Sequence, residues 1–246
     1  MNAVSPDQHA TGFLSASPDP LRYDGHTNDP AEAAAMIAAL IRPNARVLDV
    51  GCGTGSVSKI IVEITGARLT GIEPDPQRVA VAQARGIDAH RGFFDEQSAA
   101  RLGKFDVVVF ADVLEHLPDP AAALRIAHHV LNLDGMVIAS VPNIAHWSVR
   151  WNLLCGRFDY EACGIMDATH LRWFTEKSIR TLFEASGYRV DNIGQTAGVL
   201  LSVYYERFPW RYFRPRRFRP PLVRFFARGM PHLFGCQHIV CAMRKP

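Results

Sequence analysis

The sequence predicts an α/β protein with a doubly wound, mostly parallel β-sheet, and three observations support this fold class. Short apolar segments alternate with helical segments from residue 31 to about residue 193. Residues 105–110 are almost continuously apolar, as expected of a strand that is covered on both faces. Residues 47–50 run directly into a glycine-rich turn, which is typical of a strand that leads into a helix in such sheets.

Each predicted element has a local justification. Pro30 favours the start of the first helix, Gly86 ends the third, and Thr175 is placed to cap the last. The strands are expected at residues 46–50, 68–72, 87–90, 105–110, 136–141, 188–193 and 237–243. The helices are expected at residues 31–41, 56–65, 76–85, 120–131 and from Thr175 onward.

Length and composition bound the domain organisation. The chain has 246 residues, of which 48% are apolar and 21% charged, enough for one sizeable domain. We expect a partly ordered lead-in at residues 1–30 and a single domain at 31–246. Within it, residues 142–174 are expected to form a substrate-side insert, and residues 204–235 an arginine-rich and aromatic insertion before the last strand.

Cysteine usage bears on metal binding and on cellular setting. The five cysteines are odd in number and include no Cys-x-x-Cys pair, which argues against a disulfide framework and a zinc site. We therefore expect no metal and a cytoplasmic protein. No apolar run reaches the ~20 residues that a membrane-spanning helix needs.

The glycine turn narrows the ligand to a nucleotide-like cofactor. Gly55 comes one residue earlier than the third glycine of a dinucleotide-binding turn, and no Lys-Ser/Thr pair closes the turn as in a P-loop. Asp49 precedes Gly51 by two residues, where its charge would repel a pyrophosphate and favour a cationic amine and sulfonium. Glu73 follows Gly51 by 22 residues, the spacing of a carboxylate that accepts hydrogen bonds from ribose hydroxyls. These features indicate S-adenosylmethionine.

Three segments in order resemble the motifs of class I S-adenosylmethionine-dependent methyltransferases, namely residues 48–55, 71–75 and 105–120. The resemblance extends over about residues 47–190. It implies a Rossmann-like class I methyltransferase fold, with a mostly parallel seven-stranded sheet, an antiparallel terminal hairpin and helices on both faces. The similar branches are methyltransferases linked with surface-polysaccharide synthesis, methionine-biosynthesis methyltransferase-like proteins and, more distantly, ubiquinone-type O-methyltransferases.

The resemblance also implies a set of cofactor-binding residues. The expected set is Asp49, Gly51, Cys52, Gly53, Gly55, Glu73, Pro74, Gly92, Phe93, Asp112, Val113 and His116. Asp49 and the first glycines would surround the methionine part, and Glu73 would hold the ribose. Of Phe93 and Phe94, one is expected to touch the adenine and the other to belong to the core.

Three histidines are candidates for a general base, which is needed only if the acceptor is a hydroxyl. They are His116, His146 and His170. His116 recurs in this family with different acceptors, which favours a role in ordering its loop. We expect His170 to be the base, with Asp167 orienting it; alternatively, Asp167 and His170 cap and brace the next helix.

The acceptor is narrowed by a missing motif. Residues 111–114 lack the Asn/Asp-Pro-Pro-aromatic sequence typical of enzymes that methylate exocyclic amines of nucleic acids. This favours an oxygen of a small molecule, sugar or lipid-linked glycan precursor. Two alternatives stay open: a partner-dependent or non-catalytic methyltransferase-like protein that assists an acyltransferase, and an RNA methyltransferase.

Residues 204–228 interleave eight arginines with nine aromatic residues and contain one acid, Glu206. Such a segment could stack on single-stranded nucleic acid, lie against an anionic membrane, fold as a lid over an anionic substrate, or be a solvated loop. The remainder of the chain is mildly acidic, so it offers nucleic acid no wider basic surface. We favour contact with the inner face of the membrane or with a phosphate-bearing lipid-linked acceptor.

Overall fold

The computed structural model describes residues 21, 27–199, 212 and 216–245. Its seven strands are β1 (Arg46–Val50), β2 (Arg68–Glu73), β3 (Asp88–Arg91), β4 (Phe105–Ala111), β5 (Leu131–Pro142), β6 (Tyr188–Gln195) and β7 (Gln237–Arg244). The helices are α1 (Ala33–Leu40), α2 (Ser56–Thr65), α3 (Pro76–Ala84), α4 (Glu96–Leu102), α5 (Pro120–Val130), α6 (Trp147–Leu154), α7 (Glu176–Ala185), α8 (Arg219–Gly229) and α9 (Pro231–Phe234).

All seven strands form one sheet in the order β3-β2-β1-β4-β5-β7-β6. The pairs from β3 to β5 are parallel. β7 lies between β5 and β6 and is antiparallel to both. The predicted fold class is confirmed, including the antiparallel terminal hairpin.

The core has two halves, one on each face of the sheet. Val107 and Val109 of β4 belong to the apolar cluster on one face, and Val108 and Phe110 belong to the cluster on the other. This division follows from the two-residue period of a strand. All four side chains are at most 1% exposed, which explains the continuous apolar run at this position in the sequence.

Local sequence features fix where the helices begin. Asp75 accepts hydrogen bonds from two backbone N–H groups at the start of α3, and Pro76 occupies the first helical position. Thr175 forms a capping box with Ser178 at the start of α7, as its position predicted. Past the end of α7, the hydroxyl of buried Tyr188 donates to the carbonyl oxygen of Leu124, at 2.8 Å, and so joins β6 to α5.

Four helices, α4, α6, α8 and α9, and the first part of β5 were not predicted. α4 begins at a capping box of Asp95 and Ser98, and β5 begins at Leu131 rather than at residue 136. α8 begins with Arg219-Pro220-Pro221, in a segment where no helix was predicted. Proline is tolerated in the first turn of a helix, where its missing N–H has no partner to lose. The prolines therefore start a helix of 11 residues here instead of interrupting one.

Some of the expected segments lie largely outside the described residues. These are most of the lead-in at 1–30 and the part of the arginine-rich segment at 204–211 and 213–215. The insert at 142–174 is described and contains α6. Within the described ranges, no helix is both long and apolar enough to cross a membrane.

Candidate active site

A cavity of about 740 Å³ opens at the carboxyl ends of the parallel strands. Its wall includes Asp49 of β1, Glu73 at the end of β2, Ala111 at the end of β4 and Pro142 at the end of β5. Parallel sheets bind ligands at this edge, and the volume is in the range of small-molecule sites. The cavity is therefore the candidate active site.

The glycine turn between β1 and α2 supplies bare backbone to this cavity. Gly51, Gly53 and Gly55 have φ angles of 68°, 56° and 74°, which only glycine adopts without strain. A Cβ at Gly53 would have nothing within 4 Å, so this side of the turn faces open space. A Cβ at Gly51 would lie 2.7 Å from Cγ2 of Val113, so Gly51 allows the loop after β4 to pack closely against the turn.

Gly55 has a different role from its neighbours. It is the N-cap of α2, and it is absent from the residues that line the cavity. A Cβ at Gly55 would lie 3.2 Å from the backbone Cα of Ala82. Its missing side chain lets α2 begin next to α3, so Gly55 supports the turn from behind.

Asp49 is a buried carboxylate, only 1% exposed. Its Oδ2 accepts a 2.5 Å hydrogen bond from the hydroxyl of Ser58, while its Oδ1 is buried without a hydrogen-bond partner among the described residues. Burial raises the pKa of Asp49 to about 7; the Ser58 hydrogen bond opposes this shift and the charge of Glu73 adds to it. A buried acceptor atom without a partner in a cavity wall fits a ligand with a cationic or hydrogen-bonding group.

Glu73 is held by the backbone on both sides. Its Oε2 accepts from the N–H of Gly53 and its Oε1 from the N–H of Asp75, each at 3.0 Å. The side chain is 3% exposed and lines the cavity. Each carboxylate oxygen has a second lone pair, so the group can also accept hydrogen bonds from a diol.

Asp112 joins the cavity to the terminal hairpin. Its backbone has a φ of 53°, an uncommon conformation that Asp tolerates better than most residues. Its N–H lies 2.9 Å from the hydroxyl oxygen of Ser140, and both of its carboxylate oxygens lie 2.8 Å from Nε2 of Gln237, the first residue of β7. A strand from the far end of the chain therefore fixes an acidic group in the site.

His116 and His170 are neighbours on another part of the cavity wall, with ring centroids 4.8 Å apart. Nδ1 of His116 lies 3.2 Å from the carbonyl oxygen of Thr169, and Nδ1 of His170 lies 3.2 Å from the carbonyl oxygen of Ile165. A carbonyl oxygen can only accept a hydrogen bond, so we assign the proton to Nδ1 in both rings. In the neutral form of either ring, Nε2 is then the nitrogen that carries the lone pair, and it is the atom that could take a proton or bind a metal.

Asp167, expected beside His170, is fully buried and makes two hydrogen bonds with Thr169. It accepts from the N–H of Thr169 at 2.7 Å and from its hydroxyl at 2.6 Å. The same hydroxyl oxygen lies 3.3 Å from Nδ1 of His116, while the N–H of His170 donates to the backbone oxygen of Asp167 at 3.1 Å. Asp167 is thus linked to His116 through a side chain and to His170 through the backbone.

Glu115 adds a carboxyl group to the histidine pair. It is 1% exposed, and neither carboxyl oxygen has a hydrogen-bond partner among the described residues. Burial, followed by the charges of Asp112 and Asp167, raises the pKa of Glu115 well above its usual value. One ligand atom each from Glu115, His116 and His170 lies within 4.8 Å of the others, so this group could hold a divalent cation.

The remaining predicted residues all line the cavity, and so does Phe94. These predicted residues are Cys52, Pro74, Gly92, Phe93 and Val113. Phe93 is 73% exposed, whereas Phe94 meets Phe110 of the core at a ring distance of 6.0 Å.

His146, the third candidate base, is not among the residues that line the cavity. It is buried at the start of α6, where its Nδ1 lies 2.8 Å from the hydroxyl oxygen of Ser148. Burial lowers the pKa of His146 to about 3. The structure thus gives His146 a place in the capping of α6.

Sequence reasoning missed several polar residues of the cavity wall, namely Glu32, Glu115, Thr169 and Gln237. Glu32 comes just before α1, and its Oε1 is buried without a hydrogen-bond partner among the described residues. Glu115 could have been found as an acid inside a motif that was already quoted. Gln237 and Glu32 could not, because only the tertiary fold brings them to the cavity.

The residues present fit S-adenosylmethionine. The open backbone at Gly53, the unpartnered Oδ1 of Asp49 and the backbone-held carboxylate of Glu73 match the donor and acceptor needs of its methionine and ribose parts. Fold and site together define a class I S-adenosylmethionine-dependent methyltransferase. A family model described as "Methyltransferase domain" matches residues 26–193. The chain belongs to this family.

Relatives and solved structures agree with this assignment. A ubiquinone biosynthesis O-methyltransferase of Xanthomonas oryzae pv. oryzae is 34% identical over 124 residues, 48% of this chain and 52% of the relative. The chain thus spans about half the length of the curated relatives it matches.

The fold is shared with solved structures, two of which illustrate the likeness. A SAM-dependent methyltransferase from Aquifex aeolicus has a TM-score of 0.59 at 13% identity, covering 92% of this chain and 98% of that one. The magnesium protoporphyrin IX methyltransferase of Synechocystis, solved with bound SAM, has a TM-score of 0.54 at 18% identity and covers both chains completely. At these identities the likeness shows the fold alone.

Proposed function

We propose that this methyltransferase transfers the methyl group to a hydroxyl oxygen of a small-molecule, sugar or lipid-linked acceptor, with His170 as the general base. The observation that carries the proposal is the imidazole of His170 in the cavity wall, whose ring is oriented by the 3.2 Å contact between Nδ1 and the Ile165 carbonyl oxygen. O-methylation also agrees with the name of the Xanthomonas relative.

The proposed cofactor site is the half of the cavity built from the glycine turn and β2. Asp49 would face the cationic amine, Glu73 would accept from the ribose hydroxyls, and Phe93 with Gly92 would flank the adenine. Bound S-adenosylmethionine supplies a methyl group on a positively charged sulfur. The rest of the catalytic effect would come from holding the acceptor oxygen in line with that methyl group and away from water.

His170 would take the hydroxyl proton on Nε2 as the bond from oxygen to the methyl carbon forms and the bond from sulfur to that carbon breaks. His116 and Glu115 would lie beside the charged imidazolium. The Nδ1 hydrogen bond to a fixed carbonyl keeps the His170 ring oriented, as a general base requires. His116 is proposed as a second proton acceptor in the same wall, and Asp167 as the residue that positions it through Thr169.

A labelled-methyl assay on fractionated cell extract tests the reaction, and two histidine variants test the base. His170→Asn should lower kcat by about 10²- to 10⁴-fold, with the affinity for S-adenosylhomocysteine unchanged. The matched control is His90→Asn, because the side chain of His90 is 59% exposed at the protein surface. Parallel reactions with EDTA and with added Mg²⁺ separate a direct base from a metal-assisted one.

Two results would contradict the proposal. One is wild-type turnover in His170→Asn. The other is the absence of methyl transfer to any fraction together with a stable acyltransferase complex in a pull-down, which would favour the partner-dependent alternative.

A further inference from the structure

Exposed apolar side chains are concentrated in two parts of the chain. Fourteen large apolar side chains are exposed among the described residues, and ten of them lie within two ranges, residues 151–171 and residues 212–230. The ten are Trp151, Leu153, Leu154, Phe158, Tyr160, Leu171, Tyr212, Phe218, Phe225 and Met230. Single exposed apolar residues are common on soluble proteins, whereas a concentration of them marks an interaction surface.

Ring contacts between partly buried side chains link α8 to α6 and make the two parts neighbours. Phe225 of α8 lies 5.7 Å from Phe226, which stacks on Phe234 at 5.0 Å. Phe234 in turn lies 6.5 Å from Trp147, the first residue of α6. Trp151 follows one helical turn after Trp147 and is 56% exposed. We call the surface formed by α6, residues 157–160 and α8 the aromatic face.

The aromatic face continues beyond α6. Phe158 and Tyr160 are 44% and 47% exposed, and their rings lie 6.0 and 6.3 Å from that of Trp173. Leu154, the last residue of α6, is 78% exposed. These side chains therefore contribute little to the hydrophobic core. Contact with another surface would remove their apolar area from water.

The charges of the aromatic face are almost all positive. Residues 147–160 and 216–230 contain one acid, Asp159. The exposed arginines in these two ranges are Arg150, Arg157, Arg217 and Arg228, while Arg224 of α8 is paired with Asp29 and Glu161 follows the second part of the face. The guanidinium of Arg217 lies 5.0 Å from the ring centre of Phe218, so cation and aromatic ring occur side by side.

The aromatic face also borders the candidate active site. The segment that carries Phe158 and Tyr160 leads to Gly164 and Ile165, which line the cavity. A surface on which this face rests would thus lie close to the entrance for the acceptor.

We propose that the aromatic face docks on an anionic lipid bilayer. Tryptophan, tyrosine and phenylalanine side chains are favourable at the boundary between headgroups and acyl chains, and the arginines would meet anionic headgroups. A second copy of the chain is a poorer occupant, because two such faces would bring their arginines together. The inference rests on the proposed function in one respect, since it selects the lipid-linked acceptor among the proposed classes.

Vesicle co-sedimentation tests the proposal without acceptor or cofactor. The wild type should sediment with vesicles of equal parts phosphatidylcholine and phosphatidylglycerol, and far less with phosphatidylcholine alone. Trp151→Ser with Leu154→Ser should weaken partitioning by about tenfold or more, because two exposed apolar side chains are removed. Arg157→Gln with Arg228→Gln should weaken binding to the anionic vesicles and reduce its salt dependence.

The matched control is Ile64→Ser with Leu133→Ser, since these side chains are 50% and 86% exposed but lie outside the aromatic face. Equal loss of binding in the control and in the Trp151/Leu154 variant would overturn the proposal, and so would wild-type binding in the latter. A dimer that this variant converts to a monomer, or a single-stranded RNA oligonucleotide that binds in place of vesicles, would also overturn it. Because methyl transfer is assayed separately, a failure of vesicle binding is distinguishable from a failure of the proposed reaction.

Discussion

Proton release on cofactor binding is the sharpest test of the electrostatics of this site. Burial raises the pKa of Asp49 to about 7, from an ordinary value of 3.8. The amine of the cofactor is cationic and favours the ionised carboxylate, so binding should expel a proton from Asp49 when the solution is below about pH 7. The experiment therefore measures the affinity for S-adenosylhomocysteine as a function of pH in the wild type and in Asp49→Asn.

The magnitude follows from the fraction of Asp49 that is ionised in the free protein. With a pKa of about 7, this fraction is roughly one in eleven at about pH 6 and roughly nine in ten at about pH 8. The affinity for S-adenosylhomocysteine should thus be about tenfold weaker at the lower pH. In Asp49→Asn, this part of the pH dependence should disappear.

The ligand-free protein should show the corresponding effect on stability. Since the folded-state pKa of Asp49 lies above its unfolded value, the folded protein holds the proton and becomes less stable as the pH rises from about 4 to about 7. Asp49→Asn cannot lose that proton. Its thermal midpoint should therefore exceed that of the wild type above pH ~7, and the difference should shrink toward pH ~4.

Isothermal titration calorimetry in two buffers with different heats of protonation counts the released protons directly. Ser58→Ala is the matched variant, because the Ser58 hydroxyl lowers the pKa of Asp49 through a 2.5 Å hydrogen bond. Its loss should move the pH midpoint of binding upward. If the wild type and Asp49→Asn release the same number of protons on binding, and their affinities depend on pH in the same way, then Asp49 is not the group that loses the proton. That result would refute the reasoning.

Three further predictions concern contacts around the site and in the core. Gly51→Ala should abolish cofactor binding in a calorimetric titration, because the new Cβ would lie 2.7 Å from Cγ2 of Val113. The control is Gly86→Ala, which should retain binding: Gly86 also has a positive φ, but a Cβ there would have nothing within 4 Å. Gln237→Leu should weaken the binding of S-adenosylhomocysteine by about tenfold, because it removes the hydrogen bonds that Gln237 donates to Asp112 in the cavity wall. The control is Gln195→Leu on the neighbouring strand, which should leave binding unchanged because Gln195 donates to Glu176 instead. Tyr188→Phe should lower the free energy of unfolding by about 1 kcal/mol in urea, with methyl transfer unchanged, since its buried 2.8 Å hydrogen bond lies away from the cavity.

Most strands and helices of the fold were predictable because short sequence patterns determine them. The apolar run at residues 105–110 predicted a strand covered on both faces, and Thr175 predicted a helix start that the capping box with Ser178 provides. α8 was not predicted, although the prolines at residues 220 and 221 are favourable in a first helical turn. The outcome depends on whether a proline lies at the start of a helix or inside it, and composition does not settle this.

The candidate site was predictable to the extent that its residues follow strand ends. Asp49, Glu73 and Asp112 each lie at or next to the carboxyl end of a parallel strand, so the topology brings them to one edge. Gln237 lies 125 positions from Asp112 in the sequence, and no local pattern links the two. The partners of Asp167 and His170 also depend on how one loop folds, which spacing alone does not determine.

The position of β7 has a consequence for the order in which the chain can fold. β7 lies between β5 and β6, so β6 has no neighbour in the sheet until residues 237–244 are in place. During synthesis, the edge of β5 stays unpaired until β7 is made, about a hundred residues later. An unpaired edge strand can form hydrogen bonds with the strands of other chains. The same late strand carries Gln237, so Asp112 acquires this partner only when the sheet is complete. A nascent chain that has not yet placed β7 would leave β5 and β6 unpaired at this side of the sheet and would lack the contact between Gln237 and Asp112.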